Sequence, residues 1–300
     1  CGNSEEEGSG KMNRLTQDGK TYIVAEIGIN HNGDVEIAER LIRAADFAGA
    51  NAVKFQKRTP RISTPRLEWD KVRQTPWGEM SYIEYRERIE LSLDAYVRLA
   101  ILTHSLGLDF IVSVWDLVAL DEILELGGNV AALKIPSAML TNHKLVEYTA
   151  EVNKPIILST GMSTIDEIDL AVAIVRSAER ESESILLHCT SSYPCLPEEL
   201  NLNLIPTLAA KYPDFTVGYS GHEVGLAPTV AAVALGARVV ERHITLDRAM
   251  WGTDQAASVE PVGFAKLVKD IRLVERAMGD GIKKVYDSEK EALRKLRGVG

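Results

Sequence analysis

Two lysines, two glutamates and two histidines lie inside, or just past, stretches that otherwise read as apolar strands. Glu26 sits in YIVAEIG, Lys54 in AVKFQ, Lys134 in AALKI, and Glu241 and His243 in ARVVERHIT, while His222 follows FTVGYS. Charged groups in such settings need partners, because stripping an ion of water is costly. Two neutral imidazoles from neighbouring strand ends suit a borderline divalent metal such as Mn, Fe, Co or Zn, with positions left for water and substrate. The plainer alternative is a hydrogen-bonded structural pair. Lys54 and Lys134 facing one space make an anion site; otherwise each pairs with Glu26 or Glu241, or one forms a Schiff base. The hydroxyls and amides of Ser137, Ser159, Thr160 and Gly161 favour phosphate as the anion. Glu26 and Glu241 are candidates for a general base, with ionisation set by burial or a metal. Asn30 and His31 are either site residues or a polar loop pair. His104 and His143 read as surface or packing residues, His188 as a core histidine, and Cys189 and Cys195 as inert thiols.

These residues need a scaffold that brings distant strands to one point. Val/Ile-rich strand patterns recur at 22–28, 52–56, 110–114, 131–135, 155–160, 184–190, 215–220 and 237–245, nearly continuous in apolar character, as in parallel strands covered on both faces. Helical patterns follow each, at 35–48, 91–106, 118–126, 143–152, 165–178, 204–211, 225–235 and 262–277. Asp34 and Thr164 read as N-caps. Eight strand–helix units predict an α/β fold, a (β/α)8 TIM barrel, over an open doubly wound sheet. Barrel active sites lie at the C-terminal ends of the strands, where the unusual residues fall. Residues 57–90 read as a long connection and 283–297 as an extra charged helix after the barrel. Residues 1–15 read as a disordered tail and 16–300 as a single barrel domain.

Composition narrows the partners. Lys+Arg 34 against Asp+Glu 43 gives a net charge of −9, which argues against nucleic acid and anionic membrane surfaces. No apolar run reaches membrane-spanning length. Three cysteines in 300 residues do not suggest a disulfide framework, so a cytoplasmic location is expected.

The motifs AEIGINHNGD, AVKFQK, TPWGEMSYIEYRERIEL, LKIPSAML, LSTGMST, LHCTSSYP, GYSGHEVG, ERHITLDR and GTDQAASVEP run in order from about residue 20 to 280. Together they resemble the sialic acid synthases, of the N-acetylneuraminate synthase and spore-coat polysaccharide synthase type. The resemblance implies a barrel mouth that binds phosphoenolpyruvate and a divalent cation, Mn2+ or Mg2+, and condenses the donor with an open-chain amino-sugar aldehyde. It implies His222 and His243 as metal ligands. It assigns Lys54, Lys134, Ser137, Ser159 and Ser220 to phosphoenolpyruvate, Tyr193 to the site wall, and Glu26, Gln56 and Asp254 to the acceptor. Glu241 falls near the metal-bound water. The family usually carries an antifreeze-like domain after the barrel; this sequence reads as a short form without it. Gln255 stands where histidine is common, and SVWD (113–116) where TPFD is common, both on the acceptor side. Two other readings stay open: a synthase of the octulosonate or heptulosonate type, whose phosphorylated acceptor would use Arg58, Arg61 and Arg66, and a non-catalytic sugar-binding barrel. A homo-oligomer is possible, with the 57–90 segment and the 283–297 helix able either to mediate an interface or simply to cap the barrel.

Overall fold

A computed structural model describes residues 14–16 and 18–298. Eight parallel strands close into a barrel. In chain order they are β1 (Tyr22–Gly28), β2 (Ala52–Lys57), β5 (Asp109–Val114), β6 (Ala132–Ile135), β7 (Ile156–Ser159), β8 (Ser184–Cys189), β9 (Thr216–Gly221) and β10 (Val239–His243), with β10 pairing back onto β1. The helices around them are α1 (Val35–Ala48), α4 (Leu93–Ser105), α5 (Leu117–Leu124), α6 (His143–Glu151), α7 (Ile165–Ser177), α8 (Leu204–Lys211), α9 (Ala227–Ala234) and α10 (Pro261–Met278). The expected barrel is therefore the observed one.

Local chemistry explains the helix starts. Asp34 accepts from the backbone N–H groups of Glu36 and Ile37, and Thr164 forms a reciprocal capping box with Glu167, so orphan donors at both N-termini are satisfied. The buried face of α1 is Ala38, Leu41, Ile42, Ala45 and Ala48, spaced to meet the outward-facing Val53, Phe55 and Val240 of the strands. The inward strand residues form a second apolar cluster, with Val24, Ala52, Ile111, Ala132, Ile157, Ile185 and Val239 filling the lower barrel.

Most of the predicted tail lies outside the described residues. At its edge Leu15, in a short 3-10 turn (Arg14–Thr16), is buried against the lower barrel layer. Leu15→Ala is expected to cost about 2–5 kcal/mol through lost transfer energy and a residual cavity, read as a lower denaturant midpoint at unchanged slope.

The predicted 57–90 connection is structured. It holds α2 (Pro60–Ser63), an antiparallel hairpin of β3 (Val72–Thr75) and β4 (Gly78–Ser81), and α3 (Tyr82–Ile89). Its residues are too polar for apolar periodicity to announce them. Aromatic contacts make up the difference: Tyr85 meets Trp251 at 5.2 Å between ring centroids, and Trp77 meets Trp251 at 6.2 Å. The extra C-terminal helix is shorter than predicted, α11 (Lys290–Arg297), and buries none of its residues. Among the described residues no helix is long and apolar enough to cross a membrane.

Candidate active site

Side chains alternate across a strand, so the residues two positions beyond the lower apolar layer also face inward. That rule carries Val24 to Glu26, Ala52 to Lys54 and Gln56, Ile111 to Ser113, Ala132 to Lys134, Ile157 to Ser159, Leu187 to Cys189, and Val239 to Glu241 and His243. The same face of β9 presents Ser220 and then His222. The result is a polar chamber of about 210 Å³ at the C-terminal mouth. Gly28 at its rim has φ +56°, and a Cβ there would lie within 3.2 Å of Gln56, Glu26 and His243. Glycine answers both demands.

Four buried charges form the floor. Lys54 Nζ lies 2.6 Å from Glu26 Oε2 and 3.6 Å from Glu241 Oε1. Lys134 Nζ is 2.6 Å from Glu241 Oε1, and Ser220 donates its hydroxyl to the same oxygen at 3.2 Å. Gln56 Nε2 donates to Glu26 Oε1 at 2.6 Å. Burial works against charge on all of them, but for Glu241 the two ammonium groups win and hold its carboxyl low. Burial keeps the Lys134 ammonium below the usual lysine value despite Glu241. For Lys54 burial is overcome by the two carboxylates, and its value is raised. The lysines thus make the ion pairs that were one of their sequence alternatives, and they do so in the wall of a cavity. Glu241 Oε2 and Ser159 Oγ are buried with no hydrogen-bond partner.

His222 and His243 stand at the mouth above these charges, ring centroids 5.5 Å apart. His222 Nδ1 is 2.9 Å from the carbonyl oxygen of Thr190. A carbonyl only accepts, so Nδ1 carries the proton and Nε2 keeps its lone pair. Burial, then the neighbouring His243, lowers His222 to about 3. It stays neutral near neutrality, as a metal ligand must. His243 Nδ1 is buried without a hydrogen-bond partner, its nearest acid being Asp254 at 3.9 Å. Among the described residues no three His, Cys, Asp or Glu side chains converge as a metal-holding group. The two imidazoles, one with a free lone pair and one with an orphaned nitrogen, fit a divalent cation that completes its shell from water or substrate. Tyr193 lies against His222 at 4.0 Å between ring centroids.

Of the residues the resemblance assigned to the site, the chamber gathers all but Asp254: Glu26, Lys54, Gln56 and Lys134; Ser137, Ser159, Tyr193 and Ser220; His222, Glu241 and His243; Thr160 and Gly161 do not line it. Asp254 instead lines an adjoining cavity of about 330 Å³ that shares Gln56, Trp115 and Tyr193 with the chamber. The chamber also holds Ser113 and Trp115, from the SVWD segment noted only as an acceptor-side departure, and Ser191, which was not proposed at all. Period-2 alternation from Ile111 pointed to Ser113; nothing in the sequence pointed to Ser191. Cys189 lines the chamber too, and burial raises its thiol, so it is no thiolate nucleophile. Arg242, at the same strand end, faces outward and pairs with Glu223 at 2.8 Å. Gly161 donates its N–H to Ser137 Oγ at 3.1 Å, and a Cβ there would meet Ser191 Oγ at 2.3 Å.

Asn30 and His31 are structural. Asn30 donates to the Ile244 carbonyl and to Ser258, and His31 Nδ1 accepts from Gly33 N–H at 3.0 Å. Burial lowers His31 from 6.5 to about 4. The unfolded chain therefore binds the extra proton between those values, and stability falls as pH drops from about 6.5 toward 4. At pH 5 that loss is about 2 kcal/mol. Denaturant titrations at pH 7 and pH 5 check it, and His31→Asn is expected to show correspondingly less pH dependence. His188 Nε2 meets the Leu200 carbonyl at 2.6 Å inside the wall, while its Nδ1 is buried without a hydrogen-bond partner, so this core histidine is only half satisfied.

Comparison with known proteins identifies the family. The NeuB family model matches residues 41–283. The chain is 40% identical over 277 residues to N-acetylneuraminate-9-phosphate synthase of Mus musculus, covering 92% of this chain and 76% of that protein. It is 39% identical to N,N'-diacetyllegionaminic acid synthase of Campylobacter jejuni, covering 93% and 83%. A crystal structure of N-acetylneuraminic acid synthetase from Leptospira borgpetersenii, in complex with citrate, superposes with a TM-score of 0.80 at 33% identity, covering 93% of each chain. The order of the motifs, the closed barrel and these matches agree, and the chain belongs to the NeuB family of synthases.

Proposed function

We propose that the protein condenses phosphoenolpyruvate with an open-chain amino-sugar aldehyde, N-acetylmannosamine or a related hexosamine, to give a nonulosonic acid and phosphate. The observation that carries this reading is the buried Glu26–Lys54–Glu241–Lys134 network sharing one chamber with the imidazoles of His222 and His243. The products named for the relatives support it.

Charge bookkeeping favours a cation in the site. The two lysines and two glutamates cancel, so these four charges alone do not balance an anionic donor. A divalent cation, Mn2+ or Mg2+, held by His222 and His243 would add the missing positive charge and supplies Lewis acidity toward the aldehyde oxygen. The protein's own groups do the rest. Lys54 and Lys134 turn from their carboxylates toward the donor's carboxylate and phosphate. Ser137, Ser159, Ser220 and the Gly161 turn complete the cradle. Gln56 and Asp254 orient the acceptor so that its aldehyde carbon faces C3 of the donor.

C3 of phosphoenolpyruvate adds to the aldehyde carbon, forming the new C–C bond. Water adds at C2, and the tetrahedral centre then releases phosphate by C–O cleavage. Both oxygens of Glu26 are engaged, by Lys54 and Gln56, whereas Glu241 Oε2 is unpartnered. Glu241 is thus the better placed acceptor for the water proton. Its basicity rises as the lysines swing to the donor, which answers the low value it has while paired. The buried, unpaired Cys189 and Cys195 suit a reducing cytoplasm.

The test is phosphate release from phosphoenolpyruvate with Mn2+ and a panel of hexosamine and 2,4-diacetamido acceptors. Acceptor-dependent release is expected. No release above background with any of them would remove this reading in favour of a non-catalytic barrel.

A further inference from the structure

His222 and His243 come from neighbouring strands, yet strand pairing does not carry through them. The β9–β10 register runs Val240↔Tyr219, Glu241↔Ser220 and Arg242↔Gly221, and ends one residue short of both histidines. On its other side His243 is paired with Glu26 of β1. His222 is tied to the turn after β8: its ring meets the Thr190 carbonyl, and its own carbonyl accepts the Cys195 N–H at 3.1 Å. Each ring is thus anchored to a different neighbour, and their mutual spacing falls to whatever joins the two strand ends past the last pair.

A buried ion pair makes that join. Glu223 directly follows His222, and Arg242 directly precedes His243. Both are 1% exposed, and Arg242 meets Glu223 Oε1 at 2.8 Å. The guanidinium also donates to the carbonyls of Glu223 and Gly225, at 2.7 and 3.0 Å, and to the Thr229 hydroxyl at 2.8 Å; only its Nε is left over. The Glu223 carboxylate accepts from the Tyr219 phenol on β9 and the Thr229 hydroxyl on α9, at 2.9 and 2.8 Å. Gly221 leaves the room for this arrangement, since a Cβ there would lie 2.4 Å from Glu223 Oε2 and 2.7 Å from Tyr219 Cε1.

Such a pair adds little stability by itself, because desolvating both charges offsets most of their attraction. What a planar guanidinium with fixed donors does supply is geometry. Neither Glu223 nor Arg242 lines the chamber, so neither acts on a substrate directly. Their place is behind the two imidazoles, where supporting groups orient ligands and tune metal affinity.

We infer that the Glu223–Arg242 pair is a positioning clamp that sets the spacing of His222 and His243 for a divalent cation. The inference rests on the reading of those imidazoles as metal ligands given above. Both are positioning residues, each acting through the histidine beside it.

The test is binding of Mn2+ alone to the full chain, followed by electron paramagnetic resonance. Glu223→Gln and Arg242→Lys are expected to weaken it at least about tenfold. Tyr219→Phe keeps both charges and serves as the variant that folds if Glu223→Gln does not. It is expected to weaken binding about threefold, through the one hydrogen bond to Glu223 that it removes. The Mn2+ concentration for half-maximal phosphate release is expected to rise by the same factors, while kcat at saturating Mn2+ and the KM for phosphoenolpyruvate stay within about twofold. A pair that served stability alone would lower the urea midpoint and leave Mn2+ affinity unchanged; unchanged affinity in the variants that fold overturns the inference. If the parent turns over no acceptor, the condensation reading fails, and the resonance titration still decides the clamp. If the parent binds no Mn2+, the clamp falls with the metal, while phosphate release in chelator would spare the condensation.

Discussion

Lys134→Met is expected to lower stability by about 3–5 kcal/mol and to weaken phosphoenolpyruvate binding at least tenfold. The stability loss comes from the partner left behind. Glu241 is 3% exposed, and without the 2.6 Å contact to Lys134 its remaining cation is Lys54 at 3.6 Å. An uncompensated buried carboxylate carries a penalty of that size. The two effects separate in a double variant. Lys134→Met with Glu241→Gln removes both charges, so much of the stability is expected to return, while donor binding stays weak because the ammonium is still missing. Urea midpoints report the first quantity and calorimetry the second. Full donor affinity in the single variant would show that Lys134 serves only the ion pair.

His243→Ala is expected to reduce turnover by about a thousandfold, equivalent to ~4 kcal/mol of transition-state stabilisation, in a protein that remains folded. The ring has little else to lose. Its Nδ1 has no hydrogen-bond partner, and its contact with Tyr193 is edge-on at 5.9 Å between centroids. Binding of Mn2+ followed by electron paramagnetic resonance gives a readout independent of catalysis and is expected to weaken in the variant. Chelation of the parent protein is expected to give the same loss of activity, reversible by Mn2+. Activity that persists in chelator would return His222 and His243 to a structural role.

The strands and the floor of the chamber were legible because one rule governs both. Inside a barrel the same period-2 alternation that buries Val24, Ala52 and Ala132 lower down points Glu26, Lys54 and Lys134 into the mouth, so apolar patterning located polar residues. The 57–90 segment was not legible. Its hairpin and α3 are held by Trp77, Tyr85 and Trp251 meeting across a large sequence separation, and no local pattern announces such contacts. The same blindness hid the cavity beside the chamber. Arg58, Arg61 and Arg66 look alike in sequence, and only packing shows that Arg58 turns inward onto Trp115 while the other two are taken up elsewhere.

The outward-facing Arg242 has a consequence for how the chain finds its register. On β10, Glu241 and His243 point into the barrel while Arg242 reaches the helix layer, where it bonds Glu223, Thr229 and the Gly225 carbonyl. A slip of one residue would exchange the two faces. It would place a third cation beside Lys54 and Lys134, and strand a carboxylate among the apolar side chains of the helix layer. A strand of valines alone would tolerate that error at modest cost; this one does not. The residues arranged for chemistry thus double as a registration mark, telling the last strand where to stop as the barrel closes.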